Sequence, residues 1–198
     1  MKPAATIISG LALAVAATLP GCASPSSQFY TLTASATVAE DAAAVSYAVA
    51  VDSITLPAAV DRPQWVVRKG PNRIVIDEFN RWAAPLATSI GQTLAENLGR
   101  LLGTPRVVSG PLAASFDPAY RVTVDIQRFE SLPGEAATLD ALWLVRRPTG
   151  VAGAISGRTM LYEPVHGAGY DALAAAHSRA LARLSGDIAT AIRAEASQ

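Results

Sequence analysis

Apolar and polar positions alternate most cleanly between residues 120 and 127. Tyr120, Val122, Val124 and Ile126 fall on one side, with Arg121, Thr123, Asp125 and Gln127 on the other, the two-residue period of a half-buried strand. Tyr47, Val49 and Val51 alternate with Ser46, Ala48, Ala50 and Asp52 in the same way. Trp65-Val66-Val67-Arg68 and Arg73-Ile74-Val75-Ile76 flank Lys69-Gly70-Pro71-Asn72, and that turn chemistry predicts a hairpin. After Pro133-Gly134, Leu139, Ala141, Trp143 and Val145 form one face of a further strand, with Leu142 and Leu144 on the other. Two apolar faces predict a central strand covered on each side. Pro148-Thr149-Gly150 turns into another strand near Ile155 to Tyr162, and Gln28 to Thr33 also reads as a strand. Residues 34–44 show no clear period and read as a mobile loop.

Two segments switch to the helical period. Leu86, Ile90, Leu94, Leu98 and Leu101 recur at spacings of four and three inside a helix predicted from about Ala84 to Leu102. Pro85 suits its first turn, and Gly103 with Pro105 suits its end. Leu173, His177, Leu181, Leu184, Ile188 and Ile192 line one stripe of a second helix, from about Tyr170 to Ala194. Gly186 inside it costs about 1 kcal/mol relative to alanine, which a close packing contact would rationalise. The order strands, helix, strands, helix predicts an α/β fold of the α+β kind: a mixed, largely antiparallel sheet packed with two long helices.

The first 22 residues follow a different logic. Met1 and Lys2 precede an apolar run from Ala4 to Leu19, then Leu19-Pro20-Gly21-Cys22, with the only cysteine of 198 residues. The run is about 16 residues, roughly 24 Å as a helix, and falls short of the ~20 needed to span a bilayer. A charged start, a short apolar core and small residues read as a secretory signal. Leu19 to Cys22 resembles a bacterial lipobox, although Pro20 stands where a small non-proline residue is usual. That resemblance implies cleavage before Cys22 and acylation of its sulfur, which removes the thiol from disulfide, metal or nucleophilic chemistry. The bland reading is a plain signal peptide with a buried cysteine. The expected organisation is a signal peptide over 1–21, a lipidated tether over 22–27 and a single periplasmic domain over 28–198. Ala23 follows the cysteine; the sorting rule of such lipoproteins, in which aspartate there retains the protein at the inner membrane, points to the outer membrane. The five tether residues Ala23 to Ser27 span at most about 17 Å, so the domain stays close to the membrane.

Composition narrows the chemistry further. Sixteen Lys+Arg balance sixteen Asp+Glu, and loss of Lys2 leaves a net charge of −1. With no basic tract or stripe, nucleic acid is not expected as a partner. The two histidines, His166 in a loop and His177 on the helix stripe, read as structural. No Gly-x-Ser-x-Gly elbow, phosphate loop or His-Glu-x-x-His occurs. No catalytic residue, metal site or cofactor is expected.

Several blocks carry a family resemblance. Ile54-Thr55-Leu56-Pro57, Val60-Asp61-Arg62-Pro63-Gln64, Val67-Arg68 and Asn80-Arg81-Trp82-Ala83-Ala84-Pro85-Leu86 resemble the ABC-type transport auxiliary lipoproteins. These are PqiC-like lipoproteins, outer-membrane partners of transporters with MCE (mammalian cell entry) domains. Phe29-Tyr30-Thr31-Leu32 and Leu181 to Ala189 fit the same pattern, which covers essentially the whole mature chain. Ala84 departs from it where glutamate is usual, and Gly186 where a longer side chain is usual. The resemblance implies a non-enzymatic, periplasm-facing subunit, lipid-anchored in the inner leaflet of the outer membrane. It would dock a periplasm-spanning MCE protein, support lipid transport and maintain membrane integrity, and a second copy of the chain is a further candidate partner. Arg62, Pro63, Arg81 and Trp82 are the candidate partner-binding residues. Each also has a structural reading: Asp61-Arg62-Pro63 as a turn into a strand, Trp82 as a core plug, and Arg81 as half of an ion pair. Two other classes stay open, an envelope scaffold lipoprotein uninvolved in lipid flux and a periplasmic hydrolase.

Overall fold

The computed structural model describes residues 25–37, 43–148 and 153–197. The expected signal segment and Cys22 lie outside the described residues. Eight strands and three helices follow in the order β1 (Gln28–Tyr30), β2 (Val49–Thr55), β3 (Gln64–Gly70), β4 (Arg73–Trp82), α1 (Leu86–Leu102), β5 (Val107–Ser109), α2 (Pro111–Ser115), β6 (Tyr120–Leu132), β7 (Ala136–Arg146), β8 (Ile155–Pro164) and α3 (Gly169–Ala196). The fold is the expected mixed α+β arrangement, one open sheet with two long helices. Its long ladders, β3–β4, β6–β7 and β7–β8, are antiparallel. The shorter β1–β4, β2–β5, β2–β6 and β3–β6 pairings are parallel.

β6 is the axis of the sheet. One edge pairs along its length with β7. The opposite edge is shared, with β2 up to Asp125 and β3 only at Ser131. The sheet therefore forks, and the β3–β4 hairpin is held to β6 at the middle of β3, through Val67. The alternation predicted for β6 breaks after Ile126 because a bulge places Gln127 and Arg128 against one partner residue. Beyond it Phe129 and Ser131 face the interior again.

Both helices pack against one face of the sheet. Leu86, Ile90, Leu94 and Leu98 of α1 are buried as expected, and the four-residue spacing continues to Leu102 rather than Leu101. Pro85 precedes α1 as its cap residue, and Gly103 ends it in the left-handed conformation at φ 64°, which favours a residue without Cβ. The α3 stripe from Leu173 to Ile192 is wholly interior. Gly186 has open space where a Cβ would stand, so it is not a packing contact.

Three expectations change. β7 is covered on one face only: Leu142 is 44% exposed, because both helices lie on the opposite side. Trp143 is half-buried and lies over Gly157, where a Cβ would come within 2.2 Å of its ring. The segment expected to be mobile begins tied down, since Ser35 and Ala36 donate their backbone N–H groups to Asn97 Oδ1 at 3.0 and 2.9 Å. β5 and α2 were not visible as periods.

Candidate docking surface

The two most distinctive sequence blocks meet in space. Arg62-Pro63-Gln64 leads into β3, and Asn80-Arg81-Trp82 closes β4. Gln64 registers with Arg81, and the Trp82 N–H donates to the Pro63 carbonyl at 2.8 Å. β1 completes the junction: Phe29 lies beside Arg81 in parallel register, and the Ala83 N–H donates to the Tyr30 carbonyl at 2.9 Å. Between Asp77 and Arg81 the strand bulges outward by three residues relative to Trp65-Gln64. The Asp77 carboxylate holds that bulge by accepting the N–H groups of Phe79 and Asn80 at 2.9 and 3.0 Å.

The side chains of this junction divide by depth. Trp82 faces inward, 6% exposed, stacked on Trp65 with ring centroids 4.0 Å apart. Trp65 Nε1 donates to Ser131 Oγ at 2.9 Å, and that oxygen lies 2.8 Å from His177 Nε2. The His177 ring stacks on Phe129 at 4.0 Å. Tyr30 and Tyr170 close the cluster against Trp65. Trp82 thus acts from beneath the surface, where its ring fixes β4 against β3.

Arg62, Pro63 and Arg81 lie above that aromatic layer. Pro63 is exposed, and the two arginines are half-buried. Arg81 donates through Nε to the Glu78 carbonyl at 3.0 Å and sits 3.6 Å from the Glu78 carboxylate. Arg62 Nε is buried without a hydrogen-bond partner among the described residues, so only the terminal Nη groups of Arg62 can face a partner. A planar cationic fork of this kind suits bidentate binding of a carboxylate.

The electrostatics of the junction are structural. Burial alone would raise the Asp77 carboxyl, but hydrogen bonds from the Tyr170 hydroxyl and from Asn80 and Phe79 outweigh it and bring the pKa to about 2. The Tyr170 hydroxyl, 2.7 Å from Asp77 Oδ2, is raised by burial and by that carboxylate. His177 is buried completely, and burial holds its pKa down to about 3; it is a neutral core ring. His166 is solvent-exposed on the β8–α3 loop. Among the described residues, no three His, Cys, Asp or Glu side chains converge as a metal site. Nor is any described helix long and apolar enough to cross a membrane.

The sequence pattern of the ABC-type transport auxiliary lipoprotein component matches residues 30–189. The chain belongs to this family. Two solved structures share its fold. One uncharacterized protein aligns at 22% identity over 85% of this chain and 99% of its own, with a TM-score of 0.69. A Xanthomonas campestris protein aligns at 19% identity over 82% and 93%, with a TM-score of 0.68. At such identities the likeness concerns the fold. No curated protein matches the chain. As an auxiliary lipoprotein component, the chain is a transport-associated envelope protein; the pattern spans both blocks of the β3–β4 junction and reaches into α3.

Proposed function

We propose that this chain is a non-enzymatic accessory lipoprotein of an MCE-type ABC lipid transporter. Acylated at Cys22, it sits on the inner leaflet of the outer membrane and docks the periplasm-spanning MCE-domain protein through Arg62, Pro63 and Arg81. Trp82 positions that surface from below. The observation that carries the reading is the convergence of the two blocks into one junction that presents arginine side chains. Its depth-resolved build supports it: a rigid aromatic floor holds polar groups at a fixed spacing, as a docking surface requires.

The test is co-purification. A tagged full-length protein extracted in detergent from its native membranes should bring down an MCE-domain protein, identified by mass spectrometry. A Cys22→Ala variant should lose lipid labelling and membrane retention. Absence of any MCE-domain protein from a stable, acylated preparation would sink the transporter assignment and leave the scaffold reading. Unchanged labelling and fractionation of Cys22→Ala would sink the lipoprotein assignment.

A further inference from the structure

The outer strand of the β3–β4 hairpin is exposed near the turn, although Val67, the partner of Val75, is a core residue paired with Ser131 of β6, and Ile74 borders a pocket with Val60, Arg128 and Phe129. Every residue from Pro71 to Ile76 is exposed. Three consecutive aliphatic side chains, Ile74, Val75 and Ile76, are 46, 43 and 38% exposed. Successive strand residues point to opposite faces, so both faces of the arm are apolar. Single exposed aliphatics are ordinary; three in a row on one strand are not. Lys69 and Arg73 flank the turn, and no acidic residue occurs between Arg68 and Ile76. Among the described residues neither cation has a carboxylate within ion-pair distance, whereas Arg68 below them pairs with Glu130.

The position of the tether gives this arm a direction. β1 runs parallel to β4, with Gln28 beside Asn80, so the chain enters β1 from the side of the hairpin tip. Cys22 precedes Gln28 by six residues, a reach of at most about 20 Å. Ile74 precedes Asn80 by six residues on the neighbouring strand, which also spans at most about 20 Å. The attachment point and the hairpin tip are therefore within reach of the same level on the same side of the sheet.

We infer that the tip of the β3–β4 hairpin, Lys69 to Ile76, is a membrane-contacting element that rests in the headgroup layer of the bilayer holding the chain's own anchor. The inference rests on the acylation of Cys22 proposed above. Ile74, Val75 and Ile76 lose water contact among the upper acyl segments, and Lys69 and Arg73 meet lipid phosphates. The depth is limited. Residues 73–79 of β4 have β3 on one edge and no strand on the other among the described residues, and unpaired backbone groups are not tolerated in the hydrocarbon core. The arm lies at the interface and does not insert. It adds a second, weak attachment to the lipid anchor and fixes the orientation of the sheet relative to the membrane. The junction at Arg62 and Arg81, at the base of the hairpin, is then held a hairpin's length above the bilayer.

Depth-resolved fluorescence tests this directly. In the full-length protein matured in cells, acylated Cys22 has no thiol, so Val75→Cys supplies the one labelling site. Met160→Cys, 68% exposed on β8, serves as the control. Each is labelled with an environment-sensitive dye and reconstituted into phosphatidylethanolamine–phosphatidylglycerol vesicles containing a shallow nitroxide-labelled lipid. Intact mass reports acylation, and thermal melting in detergent confirms that each labelled protein is folded. The expected result is a blue shift and strong quenching at position 75, with neither at position 160. An acylated, vesicle-bound protein whose position-75 dye stays unshifted and unquenched would overturn the membrane contact alone, and the tip would pass to a protein partner. An unacylated protein that leaves the vesicles would overturn the lipoprotein reading and this inference together.

Discussion

The β3–β4 hairpin has two ends that differ in almost every physical respect. At its base Trp65 and Trp82 are buried and stacked, tied through Ser131 to His177 on α3. At its tip, the strand that contains Trp82 exposes Ile74, Val75 and Ile76. β3 and β4 pair at both ends, with the bulge between Asp77 and Arg81 separating them, so both ends are strand and the difference is not one of secondary structure. It comes from what lies behind each end: β6 and α3 stand behind the base, and beyond Val67, which still pairs with Ser131 of β6, the cover thins toward the turn and leaves Ile74, Val75 and Ile76 only about half covered. Apolar side chains at the base contribute to folding. At the tip they are only partly covered and leave apolar area for a second surface.

The largest test of that contrast is Trp82→Ala. Removing a buried, stacked indole should cost about 3–5 kcal/mol. Urea unfolding checks it, and a loss below about 1 kcal/mol would mean that the base is not the packed end.

His177 gives a pH-dependent version of the same test. Its pKa is depressed to about 3 in the fold, against about 6.5 in the unfolded chain. Below pH ~6.5 the unfolded state gains a proton that the folded state refuses, so stability falls as pH falls, by about 1.4 kcal/mol per pH unit, until pH ~3. At pH 5 the loss from this residue should be about 2 kcal/mol. His177→Gln should lower stability at neutral pH and flatten the slope between pH 6.5 and 5. An unchanged slope would place the titration elsewhere.

Gly157→Ala comes next. Its new Cβ would lie 2.2 Å from Trp143 Cζ2, and the ring must shift, at about 1–3 kcal/mol for overpacking. Trp143→Leu in the same background should recover part of that loss. At the tip, Val75→Ser should change the unfolding free energy measured in urea by less than about 0.5 kcal/mol. A larger loss would show that the arm is packed after all.

The stripes of α1 and α3 were legible because a helix that buries one face repeats its apolar residues locally. The β3–β4 hairpin was legible through Gly70-Pro71-Asn72, although both strands run further than their apolar cores suggest. What stayed hidden was non-local or too short for a period. β5 has three residues and α2 five. The break in β6 required the bulge opposite β7. The ordering of Ser35 and Ala36 depends on Asn97, about 60 residues away. The open face of β7 could not be read from its composition, because both of its faces are apolar and only the placement of α1 and α3 decides which is covered. For the candidate site, the two blocks could be named from sequence but not joined. Their union comes from the bulge that brings Arg81 opposite Gln64. The core-plug reading of Trp82 anticipated its place beneath that surface; what residue type did not show is that Arg62 and Arg81 lie together above it.

The docking claim meets its most direct test in Arg62→Ala/Arg81→Ala, with partner binding and melting temperature measured on the same preparation. Rim arginines whose forks bind a partner carboxylate should weaken affinity for the MCE-domain protein, by up to about 2–5 kcal/mol if the pairs are desolvated in the complex. The melting temperature should stay close to that of the unmodified protein, because Trp82 and Trp65 still hold the floor. Intact affinity with a lowered melting temperature would contradict the account and make these arginines part of the fold.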